Sequence, residues 1–157
     1  MKKFAVFPGS FDPITIGHED VIRRAAAVFG SCVVLVMNND QKKYRFSPEQ
    51  RVALCRAAFR GERKITVQYD AGQLSDWLLA HPGAVLVKGL RSGTDLEYEK
   101  PQAAHHRLHA GCETLFLVAK DEFQSVSSTK VRQKMEENGD LSGLLSEKVE
   151  KFFRNKL

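Results

Sequence analysis

The chain has 157 residues, 43% of them hydrophobic and 27% charged, with a formal net charge of +5. That length supports one core, so a single domain over residues 1–157 is expected, and three cysteines, Cys32, Cys55 and Cys112, odd in number and without a CxxC pair, exclude a disulfide framework in favour of reduced thiols. No apolar run approaches membrane-spanning length and no signal-peptide core follows Lys2-Lys3, so a cytoplasmic protein with no membrane partner is expected.

Residues 3–7 read as a strand that Pro8-Gly9 and Asp12-Pro13 break, and residues 18–29 carry Val21, Ile22, Ala25, Ala26, Val28 and Phe29 at helical spacing. Between them, the stretch from Phe7 to His18 forms a loop sized for a phosphate, where exposed N–H groups and the positive end of a helix dipole meet. Thr15, Gly17 and His18 add a hydroxyl, a residue that permits close approach and an imidazole donor. Each piece has an ordinary explanation as turn chemistry or a solvated histidine; the whole string together points to function.

Residues 32–37 form an apolar strand suited to burial on both faces, and Ser47-Pro48-Glu49-Gln50 is a capping box opening a helix to about residue 59. A strand at 65–69, a short helix at 74–80 stopped by Pro82-Gly83, and a strand at 84–88 follow. Residues 95–109 read as helical except at Pro101, and residues 114–118 supply a fifth strand. Ser128 is expected to cap a helix that Asn138-Gly139 ends, and residues 146–155 form a last helix with Val149, Phe152 and Phe153 on one side.

Five short apolar runs separated by helices predict an α/β fold with one doubly wound, five-stranded parallel sheet. Ligands of such sheets sit outside the carboxyl ends of the strands, near the point where strand order reverses. The motifs follow strands, which places Ser10, His18, Lys42, Lys88, Arg91 and the Ser127-Ser128-Thr129 turn around one cleft. Positive charge gathers at Lys42-Lys43-Arg45, Lys88-Arg91 and Lys130-Arg132-Lys134. With no long basic tract and no interleaved aromatics, a small polyanion explains these clusters better than a nucleic acid.

The Thr15-x-Gly17-His18 quartet resembles the T/HxGH signature of the nucleotidyltransferase superfamily, which binds nucleoside triphosphate phosphates. Three further segments fall in the order and spacing of the bacterial phosphopantetheine adenylyltransferases: Lys42-Lys43 with Phe46-Ser47-Pro48-Glu49-Gln50-Arg51; Lys88-Gly89-Leu90-Arg91 leading into Asp95-Leu96-Glu97-Tyr98-Glu99; and Val126-Ser127-Ser128-Thr129-Lys130-Val131-Arg132. The likeness covers essentially the whole chain. It implies a Rossmann-like nucleotidyltransferase fold and transfer of the adenylyl group of ATP to 4′-phosphopantetheine, giving dephospho-coenzyme A and pyrophosphate. By the same resemblance His18 is catalytic and donates to the transition-state phosphate. ATP would be held by Ser10, Phe11, His18, Gly89, Leu90, Arg91, Glu99, Phe123, Gln124, Ser125, Val126, Ser127, Ser128 and Thr129, and the acceptor by Ser10, Lys42, Leu74 and Lys88. Magnesium would be bound mainly through substrate phosphates, with no dedicated protein metal site, and the assembly would be a homohexamer.

This chain departs from the family pattern at Ser10, where relatives usually carry threonine, and at Lys88, where many carry arginine. The hydroxyl and the charge are kept; a methyl and a bidentate fork are lost. Glu99 has an ordinary alternative as an ion-pair partner of Lys100 or Lys88, and Ser127-Ser128-Thr129 as a simple helix cap. His105, His109 and Cys112 have helical spacing suited to a transition metal, but no pattern marks a fourth ligand or a supporting carboxylate for them. Two other functions remain in play at this point: a nucleotidyltransferase with another acceptor, such as nicotinate mononucleotide or a cytidylyltransferase substrate, and a noncatalytic basic nucleic-acid-binding module.

Overall fold

A computed structural model describes residues 1–157 and shows five strands alternating with helices. In chain order these are β1 (Phe4–Gly9), α1 (Ile16–Phe29), β2 (Cys32–Met37), α2 (Pro48–Ala58), β3 (Ile65–Asp70), α3 (Leu74–Ala80), β4 (Ala84–Leu90), α4 (Gly93–Ala110), β5 (Thr114–Val118), a 3-10 turn (Asp121–Phe123), α5 (Ser128–Glu136) and α6 (Glu147–Lys156). All strand pairs are parallel, in the order β3-β2-β1-β4-β5. The chain therefore builds outward from β1 to β3, returns, and builds the other way from β4, so order reverses between β1 and β4.

Alternation along the strands feeds two cores. Ala5, Phe7, Cys32, Val34, Val36 and Val87 face a large cluster shared with α1, α2, α5 and α6, whereas Val6, Leu35, Ala84 and Leu86 face a smaller one closed by Trp77, Leu78 and Cys112. All three cysteines are buried and unpaired, and burial pushes the Cys32 thiol up to about 12, which keeps it neutral filler. α4 has no buried residue.

The central strand departs from expectation in an informative way: β1 runs on through Pro8 and Gly9 instead of ending at Phe7. Phe4 N–H donates to Gly83 on the β4 side and Ala5 N–H to Ser31 on the β2 side, so alternate residues 4, 6 and 8 face β4. Pairing of β1 with β4 covers only Phe4 to Val6, while pairing with β2 continues to Gly9. Pro8 thus lacks its N–H on the side where the ladder has already stopped, and a proline is tolerated mid-sheet because no ladder bond is formed there. The two central strands part at that point.

Among the other differences from expectation, three bear on the walls of the sheet's carboxyl end. β4 extends to Leu90, because Lys88, Gly89 and Leu90 still pair with Phe116, Leu117 and Val118, so Gly89 and Leu90 lie in the strand and not after it. The cap of α5 is Ser127, whose side chain accepts from Lys130 N–H, with Ser128 the first helical residue. α4 is continuous from Gly93 to Ala110 through Pro101. Pro101 is exposed, so the carbonyl it leaves without a donor, that of Glu97, is free to be hydrated.

Candidate active site

The parting of β1 and β4 opens a cavity of about 680 Å³ at the carboxyl end of the sheet. Its floor is the β1 loop with Ser10, Phe11 and Asp12, and its walls come from the start of α1, the Lys42-Lys43-Tyr44 loop after β2, the end of β4, one side of α4 and the start of α5.

His18 is set by its own helix. Thr15 caps α1 with a complete capping box: its hydroxyl accepts from His18 N–H at 3.3 Å, and Thr15 N–H donates to His18 Nδ1 at 3.0 Å. With Nδ1 accepting, the neutral ring carries its proton on Nε2. The ring is fixed edge-on to Phe11 at 5.2 Å and Phe7 at 6.3 Å, and burial, followed by the Arg91 charge, holds its pKa down to about 4. At neutral pH it is therefore a directed hydrogen-bond donor without a charge.

Basic groups approach from both halves of the sheet. Lys88 Nζ, from β4, lies 3.6 Å from Glu99 Oε2 of α4, each about one-fifth exposed. Arg91 donates its backbone N–H to Asp95 Oδ2 at 2.8 Å and Nη1 to the Val126 carbonyl at 3.2 Å, joining the β4 end to the α5 start. Lys42 and Lys43 are exposed on the opposite rim.

The loops are stitched to one another. Buried Asp12 accepts from the N–H groups of Arg45 and Phe46, both at 2.9 Å, which pins the lysine loop against the β1 loop. Ser128 Oγ donates to the Pro13 carbonyl at 2.8 Å, and Arg132 Nη1 to the Asp12 carbonyl at 2.8 Å, which pins α5 to the same loop. The cap at Ser127 takes the Lys130 N–H, leaving those of Ser128 and Thr129 unspent at a helix start on the cavity wall.

Of the residues expected at the site, Ser10, Phe11, His18, Lys42, Lys88, Gly89, Arg91, Glu99, Val126, Ser127, Ser128 and Thr129 line this cavity. Leu90, Phe123, Gln124, Ser125 and Leu74 do not. Phe123 packs against the main core; Gln124 donates to Asp121 Oδ1 within its own turn; Ser125 is exposed. Leu74 lines a separate cavity of about 350 Å³ between α3 and α4, beside Pro101, His105 and His106. Sequence reasoning gave no role to Asp12, Tyr44 or Tyr98, which also line the main cavity. A buried aspartate in a turn and two tyrosines in polar stretches carry no pattern that separates them from ordinary loop residues.

The histidine-cysteine trio does not converge. His109 and His105 stack at 4.1 Å, His109 Nδ1 meets the His105 carbonyl at 2.9 Å, and the Cys112 thiol turns inward to the Ala84 carbonyl. No group of three or more metal-ligating side chains comes together anywhere in the chain.

Residues 6–134 match the family described as cytidylyltransferase-like. Along nearly its full length the chain is similar to the phosphopantetheine adenylyltransferase of Thermotoga neapolitana, 40% identical over 98% of this chain and 96% of that one. It is also similar to the enzyme of the same name from Corynebacterium efficiens, 44% identical over 92% of each, and to that of Limosilactobacillus reuteri, 38% identical over 99% of this chain and 90% of that one. The cavity between β1 and β4, with its capped histidine and converging cations, therefore sits in a chain that belongs to the cytidylyltransferase-like nucleotidyltransferases and, within them, to the phosphopantetheine adenylyltransferase family.

Proposed function

We propose that this enzyme transfers the adenylyl group of ATP to 4′-phosphopantetheine, forming dephospho-coenzyme A and pyrophosphate. The observation that carries the reading is the convergence of Lys42, Lys88 and Arg91 on the cavity beside a histidine held neutral with Nε2–H as its free donor. Two polyanions need that cationic enclosure to approach each other.

The acceptor is a phosphate monoester, mostly dianionic near neutral pH because its second pKa is about 6. Its oxygen attacks the α-phosphorus of ATP, a new P–O bond forms, the bond to the β-phosphate bridging oxygen breaks, and pyrophosphate leaves with that electron pair. No protein base is required, and His18, with Nδ1 occupied, acts as a donor to the α-phosphate as charge builds there. Lys42, Lys88 and the Ser10 hydroxyl bind the acceptor phosphate; Gly89, Arg91 and Glu99 hold ATP, and the amides of Ser128 and Thr129 at the start of α5 bind its phosphates.

Magnesium belongs to this reading as an ion carried on the phosphates, where it would neutralise charge. The cavity carboxylates are already engaged, Asp12 by two backbone N–H groups, Asp95 by Arg91 and Glu99 by Lys88, so none is a ready ligand. The same reading makes the protein cytoplasmic, with no nucleic-acid or membrane partner, and a homohexamer. No helix is long and apolar enough to cross a membrane.

Pyrophosphate release is the test. It should require ATP, magnesium and phosphopantetheine together, stop on chelation of the metal, and be absent with unphosphorylated pantetheine. Activity with nicotinate mononucleotide, or preference for CTP, would move the chain to another branch of the family. A monomer mass in light scattering at micromolar concentration would overturn the assembly.

A further inference from the structure

Arg51, in the first turns of α2, is fully buried and forms no ion pair with any carboxylate. A guanidinium is always charged, and burying a charge without a carboxylate partner is costly, so core filling does not account for this residue. Its Nη1 donates to the Ser10 carbonyl at 2.7 Å and to the Met37 carbonyl at 2.9 Å, its Nη2 to Asn38 Oδ1, and its Cζ lies 4.2 Å from the centre of the Tyr44 ring, while Nε has no partner. One planar fork therefore holds the ends of β1 and β2 and the lysine loop at once. Tyr44, seated on the guanidinium, accepts from Asn39 N–H at 2.6 Å and places its hydroxyl 3.5 Å from Ser10 Oγ.

The contact with Ser10 has a directional consequence. In a trans peptide the carbonyl and the following N–H point opposite ways, so drawing the Ser10 carbonyl down to Arg51 turns the Phe11 N–H away from it, on the side where Ser10 and Phe11 line the cavity. That N–H has no acceptor in the chain. Phe11 itself has φ of +50°, a conformation that a bulky side chain adopts only when its surroundings impose it. Its ring is buried between Phe7 and His18, and its preceding carbonyl is held by Arg51.

The geometry points to Arg51 as a positioning residue for the adenylyl transfer: it touches neither substrate, fixes the Phe11 N–H and the Tyr44-Lys42 loop in register, and sets a buried positive charge behind the cavity whose counter-charge is the bound phosphate. This rests on the proposed function for its kinetic consequence, though anion binding alone also reports on it.

The test compares wild type with Arg51→Lys, which keeps charge but not the planar fork, and Arg51→Met, which keeps an unbranched apolar stem without charge. Both should fold, judged by circular dichroism and a cooperative melt. Arg51→Lys should retain most of the thermal shift given by ATP or tripolyphosphate yet lose about 10²-fold in kcat at saturating substrates, the cost expected for sub-ångström to ångström misplacement. Arg51→Met should lose both the shift and the turnover. Wild-type kcat with unchanged KM for both substrates in folded Arg51→Lys would overturn the positioning role, and so would an undiminished anion-induced shift in Arg51→Met. If Arg51→Met fails to fold, Asn38→Ala, which removes one fork partner, should show a smaller fall in kcat in the same direction, and unchanged kcat there overturns the proposal. A wild-type enzyme that binds tripolyphosphate but releases no pyrophosphate would instead sink the proposed reaction and leave the binding arm of this test standing.

Discussion

In the proposed reaction His18 serves as a donor because it is neutral and because only one of its nitrogens is free. Replacing it with alanine should lower kcat by roughly 10²–10³ while ATP affinity stays within severalfold, since a donor aimed at developing charge acts mainly in the transition state; stopped-assay turnover and equilibrium binding separate the two. Its pKa of about 4 against an ordinary 6.5 also fixes a pH dependence. The unfolded chain takes up this proton more readily than the folded one, so the group's contribution to stability is complete above pH 6.5 and is lost as pH falls toward 4. Denaturant titration across that window should show the loss in wild type and a flatter profile in His18→Gln. Lys88 carries a second prediction: Lys88→Ala removes a cation and strands Glu99 on the cavity wall, so kcat/KM for the acceptor should fall roughly 10- to 100-fold, more than in Lys42→Ala. Adding Glu99→Gln should restore part of the loss, and Lys88→Arg should be tolerated or better. The gathering of these residues at one cavity was legible because charge, spacing and a known loop pattern announce it. Glu19 was not: beside His18 it reads as the polar side of a helix, yet it is 1% exposed, with Arg23 bonded to it and to Glu62, and burial raises its pKa.

Elements were legible where punctuation is chemical. Ser47-Pro48-Glu49-Gln50 forms the capping box its residues describe, and β5 and α3 have the limits their apolar runs set. Boundaries slipped where tertiary pairing overrode a local rule, as in β1 through Pro8 and β4 through Leu90. α4 is the clearest instance, since proline within a helix of 18 residues contradicts local preference and no burial compensates for it. Pro101→Ala should therefore raise stability by about 1–3 kcal/mol in urea unfolding, without loss of turnover. No gain, or a loss of activity, would mean that the helix uses the missing donor, for example to curve beside the cavity formed with α3.

At the level of the whole molecule, the reversal of strand order predicted a cleft, and the cleft contains most of the residues the motifs marked; what one chain's sequence cannot display is how its outer surfaces are used. Leu108, Tyr98 and Val118 are 81%, 73% and 66% exposed, and they lie on α4 and the edge strand β5, where a hexamer would have surface to cover. The net charge of +5 is spread over the molecule, but the cationic side chains at the cleft give it a local field that attracts polyphosphates. The missing hydrogen on Pro8 adds a consequence in time. Because β1 has no donor to offer β4 beyond Val6, the sheet has no way to zip shut there, and the entrance exists before any ligand arrives. Stopped-flow association of ATP should then be a single phase whose rate rises linearly with concentration, without the plateau that a preceding opening step would impose, and should slow as salt screens the approach.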